Sequence, residues 1–271
     1  MSAPGSIPRA MLVRQSVAGL MSEHGRARLR ELVFGEGFRE LRREDGWSFG
    51  EAERDSYPGW IRCEHLGETG RQTPTHRVRV ARSYAFGQPD LKAPDEPLLL
   101  SFGARVEVFN THEDKSGVRW AEIADFREYD PELDTKPGCY YVPAPHLAPL
   151  DEPETDPAAV AELLIGTPYL WGGNSAYGVD CSGLVQMALL ACGIPCPGDS
   201  DQQEALGAPA TGAQQRGDLI FWEGHVAMAL DETRMIHANA HHMEVAIEPT
   251  AEAEARILAK GSGPVIARRR L

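Results

Sequence analysis

Apolar positions in the first half of the chain come in short alternating runs broken by turn residues, whereas the second half adds helix-spaced stretches before the short runs return. From about Met11 to Leu66, RELVFGEGFRELRREDGW and YPGWIRCEHLG predict several strands, because period-two alternation between Gly, Asp and Pro breaks marks half-buried strands. A similar cycle recurs from about Val78 to Leu150, in HRVRVARSYAF, PLLLSFGARVEVFNTHEDKSGVRWAEIA and GCYYVPAPHL. Each cycle has an FGE or FGA turn, a strand, and then a strand containing Trp. The pair therefore reads as two small β modules, over residues 1–70 and 71–150.

APHLAPLDEPETDPAAV is rich in Pro and acidic residues, lacks hydrophobic periodicity and predicts a linker. A third domain is expected over residues 151–271. DPAAVAELLIG predicts a helix capped by Asp156, with Pro157 in its first turn and Gly166 closing it. In PYLWGGNSAYGVDCSGLVQMALLACGIPCP, Leu184, Val185, Ala188, Leu189 and Cys192 share one face at helical spacing. That helix should start beside Cys181 and stop at Gly193. GDLIFW, HVAMAL, RMIHAN and EVAIEP then predict an antiparallel sheet packed on it. The expected fold class is α+β.

Composition removes several alternatives. With 42% hydrophobic and 25% charged residues, the 271-residue chain should bury cores rather than stay disordered. A formal net charge of -13 argues against a nucleic-acid partner, since phosphate binding needs concentrated Lys and Arg. The ARRR run ending at Arg270 reads as a solvated tail. The opening MSAPGSIPRAMLVRQSVAGLMSEHGRARLR lacks the apolar run of an export signal, and no later stretch is long enough to span a bilayer. A cytoplasmic protein without a membrane partner is expected. Cys63, Cys139, Cys181, Cys192 and Cys196 are scattered and odd in number, which points to free thiols.

Cys181 falls at a helix N-terminus, where unpaired N–H groups and the positive end of the dipole favour a thiolate. A small apolar residue starting a packed helix is the other reading. His225 opens the HVAMAL run and His237 lies in MIHA; their numbers sum to an even value and are symmetric about Asp231 in the polar DETR segment. Side chains alternate along strands, so the two are expected on one face, as cross-strand or diagonal neighbours with Ala227 and Ala229 leaving room. A Cys, a His and a group orienting that His form the set needed for acyl transfer. The clustering of His237, His241 and His242 does not amount to a metal site, because adjacent strand residues point to opposite faces. No metal or cofactor is expected.

PYLWGGNSAYGVDCSG, RGDLIFWEGHVAMAL and MIHA, in that order, resemble the NlpC/P60 cysteine peptidase pattern, with Cys181, His225 and His237 matching its Cys-His-His set. The resemblance covers the chain from about Thr155 and implies a papain-like catalytic domain. The two preceding modules look like bacterial SH3-like barrels. Together with YPGW, which contains Tyr57, they are similar to the γ-D-glutamyl-L-diamino acid endopeptidases. That subgroup implies hydrolysis of the γ-D-glutamyl to diaminopimelate or Lys bond in murein peptides with a free N-terminal L-Ala, in cell-wall peptide recycling. It also implies that the first barrel and Tyr57 help close the substrate site. Other matched positions are Tyr169, Trp171, Asp180, Ser182, Asp199 and Ser200, whose phenol, hydroxyl and carboxylate groups suit a peptide amine and a free α-carboxylate. Tyr169 could also donate to an oxyanion, or with Trp171 merely pack the loop. Gly198 stands where related sequences often have Arg, which removes any contact from that charge. An amidase or transpeptidase role and a non-catalytic wall-binding role are the alternatives. The protein is expected to act as a monomer.

Overall fold

The computed structural model describes residues 8–69, 73–124 and 139–271. Residues 1–7, which open the segment read for an export signal, lie outside the described residues. The chain divides into two compact units, Met1–Glu152 and Pro153–Leu271.

The first unit is β-rich. Strands β1 (Arg9–Val13), β2 (Val17–Met21), β3 (Arg28–Val33), β4 (Gly37–Glu44), β5 (Trp47–Ala52), β6 (Pro58–Arg62) and β7 (Leu66–Glu68) form one sheet in the order β3-β2-β6-β5-β4-β1-β7. Period-two patterning sends Leu20, Leu32, Phe38 and Ile61 into a common core at 0% exposure. Full burial of each such side chain contributes roughly 1.5–3 kcal/mol. The second cycle supplies β8 (His76–Val78), β9 (Arg82–Ala85), β10 (Leu98–Ser101), β11 (Arg105–Val106), β12 (Val108–Glu113), β13 (Arg119–Ala124), β14 (Cys139–Pro143) and β15 (Leu147–Pro149). These pair as β9 with β10, β11-β8-β15 and β12-β13-β14. Among the described residues no sheet of the unit closes into a barrel.

The sequence repeat is also a structural repeat. Gly35 and Gly103 of the FGE and FGA turns both take left-handed φ, +74° and +80°, and donate to Val13 O and Val78 O. Phe34 and Phe102 beside them are buried. The two repeats do not pack independently, because Leu12, Val33 and Phe34 share a core with Val78, Ala104 and Val106. An added Cβ at Gly35 would lie 1.9 Å from Arg105 O, so only glycine lets these turns meet. The expected linker is shorter than its composition suggests. Leu147–Pro149 pairs with β8, Arg77 donates to Pro149 O and Glu152 O, and Leu147 and Ala148 are buried. Proline is tolerated there because β15 is an edge strand.

The second unit mixes helices and strands. Helix α1 (Pro157–Glu162) starts under Asp156, whose carboxylate accepts from Ala158 and Ala159 N–H. It stops four residues before Gly166, and the intervening turns bond to the third residue back. Hairpin β16 (Asn174–Ser175) and β17 (Gly178–Val179) lead into α2 (Cys181–Ala191). Gly193, at φ +72°, ends α2 with Ile194 N–H on Leu189 O and Gly193 N–H on Leu190 O, the paired bonds of a Schellman turn. Leu184, Val185, Ala188 and Leu189 of the expected apolar face are buried, and so is every other residue from Cys181 to Leu189. Gln186, at 0% exposure, is satisfied by the Asn174 amide and the Cys196 carbonyl.

Beyond α3 (Ser200–Gln203) and β18 (Ala208–Pro209), the predicted strands appear as β19 (Leu219–Trp222), β20 (His225–Ala229), β21 (Arg234–Asn239) and β22 (Glu244–Pro249). After α4 (Thr250–Ala259), β23 (Ala267–Arg270) returns to pair between β18 and β19. The expected solvated ARRR tail is therefore an interior strand. Arg270 bonds Asp218 twice, and Arg268 bonds Gln214 and Glu254, so the charges are neutralised at the sheet rather than solvated. No helix among the described residues is long and apolar enough to cross a membrane.

Candidate active site

The loop before α2 and the first turn of that helix are built as one piece around Asp180. One of its carboxylate oxygens accepts from Gly183 N–H at 2.7 Å and Ser182 Oγ–H at 3.1 Å, and the other accepts from Gly172 N–H at 2.9 Å. That arrangement is a helix cap that also clamps the WGG loop. The clamp leaves no space. A Cβ on Gly183 would lie 2.3 Å from Gly173 O, and one on Gly173 would lie 2.5 Å from Gly178 O. Gly173 of WGG and Gly183 of DCSG thus follow from close backbone approach, whereas Gly172 takes a left-handed φ of +73°. Cys181 is the first residue of α2 and is 6% exposed, which places it at the positive end of the helix dipole.

Helix α2 packs against β20 and β21, which carry the two candidate histidines. His225 Nε2 and His237 Nδ1 are 2.8 Å apart. The ladder pairs Met228 with Ile236 and Ala229 with Met235, so the two histidines are diagonal neighbours and the hairpin centres on Glu232, one residue past the expected Asp231. Trp222, opposite His225 in the neighbouring strand, packs its ring 5.6 Å from the imidazole. Burial holds His225 neutral and lowers its pKa to about 3; His237 and Arg256 add to the effect and Glu248 opposes it. His237 is 1% exposed and is also lowered, chiefly by burial.

Two residues of this constellation were not singled out from sequence. Glu248 on β22 lies 2.7 Å from His237 Nε2, and Arg256 on α4 donates to the same carboxylate oxygen. Burial raises the Glu248 pKa, but hydrogen bonds and charge from His237 and Arg256 outweigh it and bring it to about 2. Glu248, one of two Glu residues in EVAIEP, gives no signal in sequence, because its contact with His237 exists only once β22 is registered on β21.

The other candidates are distributed around this frame. Asp180 and Ser182 are buried and occupied in the cap. Tyr169 is half-buried; its N–H donates to Met243 O, while Trp171 is 70% exposed. Asp199 and Ser200 begin α3, which Gln203 ties to the α2 start by donating to Ser182 O and Pro197 O. In the first unit, half-buried Tyr57 packs on the core, with the Arg30 guanidinium 5.7 Å from its ring and its N–H on Asp55. Among the described residues no group of three His, Cys, Asp or Glu is arranged to hold a metal ion.

Comparison with known proteins places this geometry. Residues 166–256 match the NlpC/P60 family, and residues 22–66 match the bacterial dipeptidyl-peptidase SH3 domain. Dipeptidyl-peptidase 6 of Lysinibacillus sphaericus is 40% identical over 90 residues, covering 32% of this chain and 33% of that protein. The gamma-D-glutamyl-L-lysine dipeptidyl-peptidase of Bacillus cereus is 36% identical over 97 residues, 32% of this chain and 29% of the relative. The protein of the same name from Bacillus subtilis is 36% identical over 199 residues, 67% of this chain and 60% of the relative. The chain thus spans about a third of the length of the first curated relatives it matches. The structure of an NlpC/P60 family protein from Bacillus cereus superposes with a TM-score of 0.76, covering 96% of this chain and 99% of that one at 19% identity. The fold is therefore the papain-like one of that family, preceded by an SH3-like β-rich unit. The chain thus carries an NlpC/P60 domain at residues 166–256 and a bacterial dipeptidyl-peptidase SH3 domain at residues 22–66.

Proposed function

We propose that the protein is a cysteine peptidase that hydrolyses the γ-D-glutamyl to L-diamino acid bond of murein peptides with a free N-terminal L-Ala. The observation that carries this reading is the His225–His237 pair, bonded at 2.8 Å on the two strands against which the Cys181 helix packs. Cys181 is the nucleophile, His225 the base and His237 the group that orients it. The Cys181 thiol gives its proton to His225, and sulfur attacks the γ-carbonyl, whose oxyanion is held by the Cys181 backbone N–H at the helix start. His225 returns the proton to the departing amine, leaving a thioester. Water then attacks the thioester, passing a proton to His225 and from there to the leaving sulfur. The bond specificity is supported by the printed names of the Bacillus cereus and Bacillus subtilis relatives. Tyr169, Trp171, Asp199 and Ser200 are the residues we assign to substrate, with Asp180 and Ser182 acting through the loop they hold. The reading includes a monomer working on recycled peptides in the cytoplasm, and an odd number of scattered cysteines suits that reducing compartment.

Incubation with L-Ala-γ-D-Glu-diaminopimelate and its Lys counterpart, each with a free and an acetylated amine, tests the proposal by product masses. Release of L-Ala-D-Glu from the free-amine peptides alone is expected. Equal cleavage of capped peptides, or transfer of the acyl group to an added amine in preference to water, would overturn the specificity or the hydrolytic outcome.

A further inference from the structure

Glu248 completes a relay that the Cys-His-His set does not include. Its Oε1 lies 2.7 Å from His237 Nε2, and His237 Nδ1 lies 2.8 Å from His225 Nε2. The groups facing this carboxylate are His237 from β21, Arg256 from α4 and His242 from the β21–β22 turn, whose Nδ1 is 3.6 Å away. His241 and Lys260 lie beyond, bonded to one another. Arg256 keeps the carboxylate ionised, and an ionised carboxylate only accepts hydrogen bonds. His237 must then carry its hydrogen on Nε2. Its Nδ1 is left as an acceptor, so His225 Nε2–H donates to it. The lone pair of His225 is thereby fixed on Nδ1.

We propose that Glu248 is a positioning residue that sets the ring tautomer of His225 through His237, presenting Nδ1 as the atom that takes the Cys181 proton. The catalytic half of this assignment rests on the peptidase reading above; the tautomeric half does not. Without the carboxylate, His237 can hold its hydrogen on Nδ1 and donate to His225 Nε2. His225 then carries hydrogen on Nδ1 and cannot accept there. The consequence resembles that of a wrong tautomer in a serine-peptidase triad, reduced because Glu248 acts one ring further out.

The test uses the full chain with nitrogen-15 in its histidine rings. Long-range proton–nitrogen spectra near neutral pH report the tautomer, alongside kcat and KM on L-Ala-γ-D-Glu-diaminopimelate. Wild type should show Nε2–H on both histidines. Glu248→Ala should move His237 and His225 towards Nδ1–H and lower kcat about ten- to a hundredfold with KM changed less than about threefold. Glu248→Asp should recover part of both. If the alanine variant does not fold, isosteric Glu248→Gln carries the same readings, because its amino group can face His237 and force the reverse tautomer. Unchanged ring tautomers in a folded variant overturn the proposal, whatever happens to activity. Shifted tautomers with an inactive wild type sustain the Glu248 assignment and sink the peptidase reading instead.

Discussion

Asp180→Asn keeps the volume of a buried side chain and changes one oxygen into an amino group. Both carboxylate oxygens are acceptors in the folded chain, towards Gly183 and Ser182 on one side and Gly172 on the other. Asparagine has one acceptor. If its oxygen keeps the Gly183 cap, its amino group meets the Gly172 N–H, donor against donor. One buried N–H without a partner costs about 1–3 kcal/mol. Asp180→Ala loses the cap as well, a further ~0.5–2 kcal/mol. The effect should also reach the chemistry. The loop has no slack, since Gly173 O would lie only 2.3 Å from a Cβ on Gly183. Pushing Gly172 away therefore shifts backbone on both sides of Cys181, and a shift of about 1 Å at a reacting group can cost on the order of a hundredfold. We expect Asp180→Asn to lower the urea midpoint with little change in m and to reduce kcat/KM at least about tenfold. A variant within about 0.5 kcal/mol of wild type and with unchanged kcat/KM would show that Asp180 does not hold the loop to the helix.

Cys181→Ala should abolish hydrolysis and retain the far-ultraviolet circular dichroism of wild type; residual turnover would remove the nucleophile assignment. His225→Ala should lose roughly 10²-fold or more in kcat, and His237→Ala less, because orientation is lost more gradually than proton transfer. Equal and small losses would make the pair structural. Acid should destabilise the fold through His225, whose pKa of about 3 lies below its ordinary 6.5. The unfolded chain binds the proton first, so this contribution is intact above about pH 6.5 and is lost as pH falls towards 3, by on the order of a few kcal/mol in all. His225→Gln should flatten that limb of urea midpoint against pH, and an unchanged slope would refute the cause. Arg270→Ala strips both bonds from buried Asp218 and should lower the urea midpoint more than Arg26→Ala, whose ion pair with Glu23 is exposed. Equal midpoints would mean that β23 is held by its backbone ladder alone.

Local chemistry was legible wherever neighbours in sequence are also neighbours in space. Asp156 and Gly193 mark helix ends because caps act within a few residues. The FG turns repeat because a left-handed glycine is a property of the turn itself. The four strands after α3 follow from their apolar runs and breaks. Register was a different matter. The even sum of 225 and 237 signals a shared face only because this hairpin pairs Met228 with Ile236; its neighbours pair Leu219 with Met228 and His237 with Ala246, whose sums are odd. Turn length decides that parity, and composition does not report it. The same limit hid β23 in a run of arginines and β15 in a proline-rich segment, since pairing is a backbone interaction offered by a distant strand. It also hid Glu248, which meets His237 only after β22 registers on β21 and α4 brings Arg256 across. The sequence by itself determined the elements with their own apolar patterns, the helix caps and the residue types able to do the chemistry. The tertiary structure decided which of them face one another, because hydrogen-bond partners and burial between distant segments come into being only when the sheet is assembled.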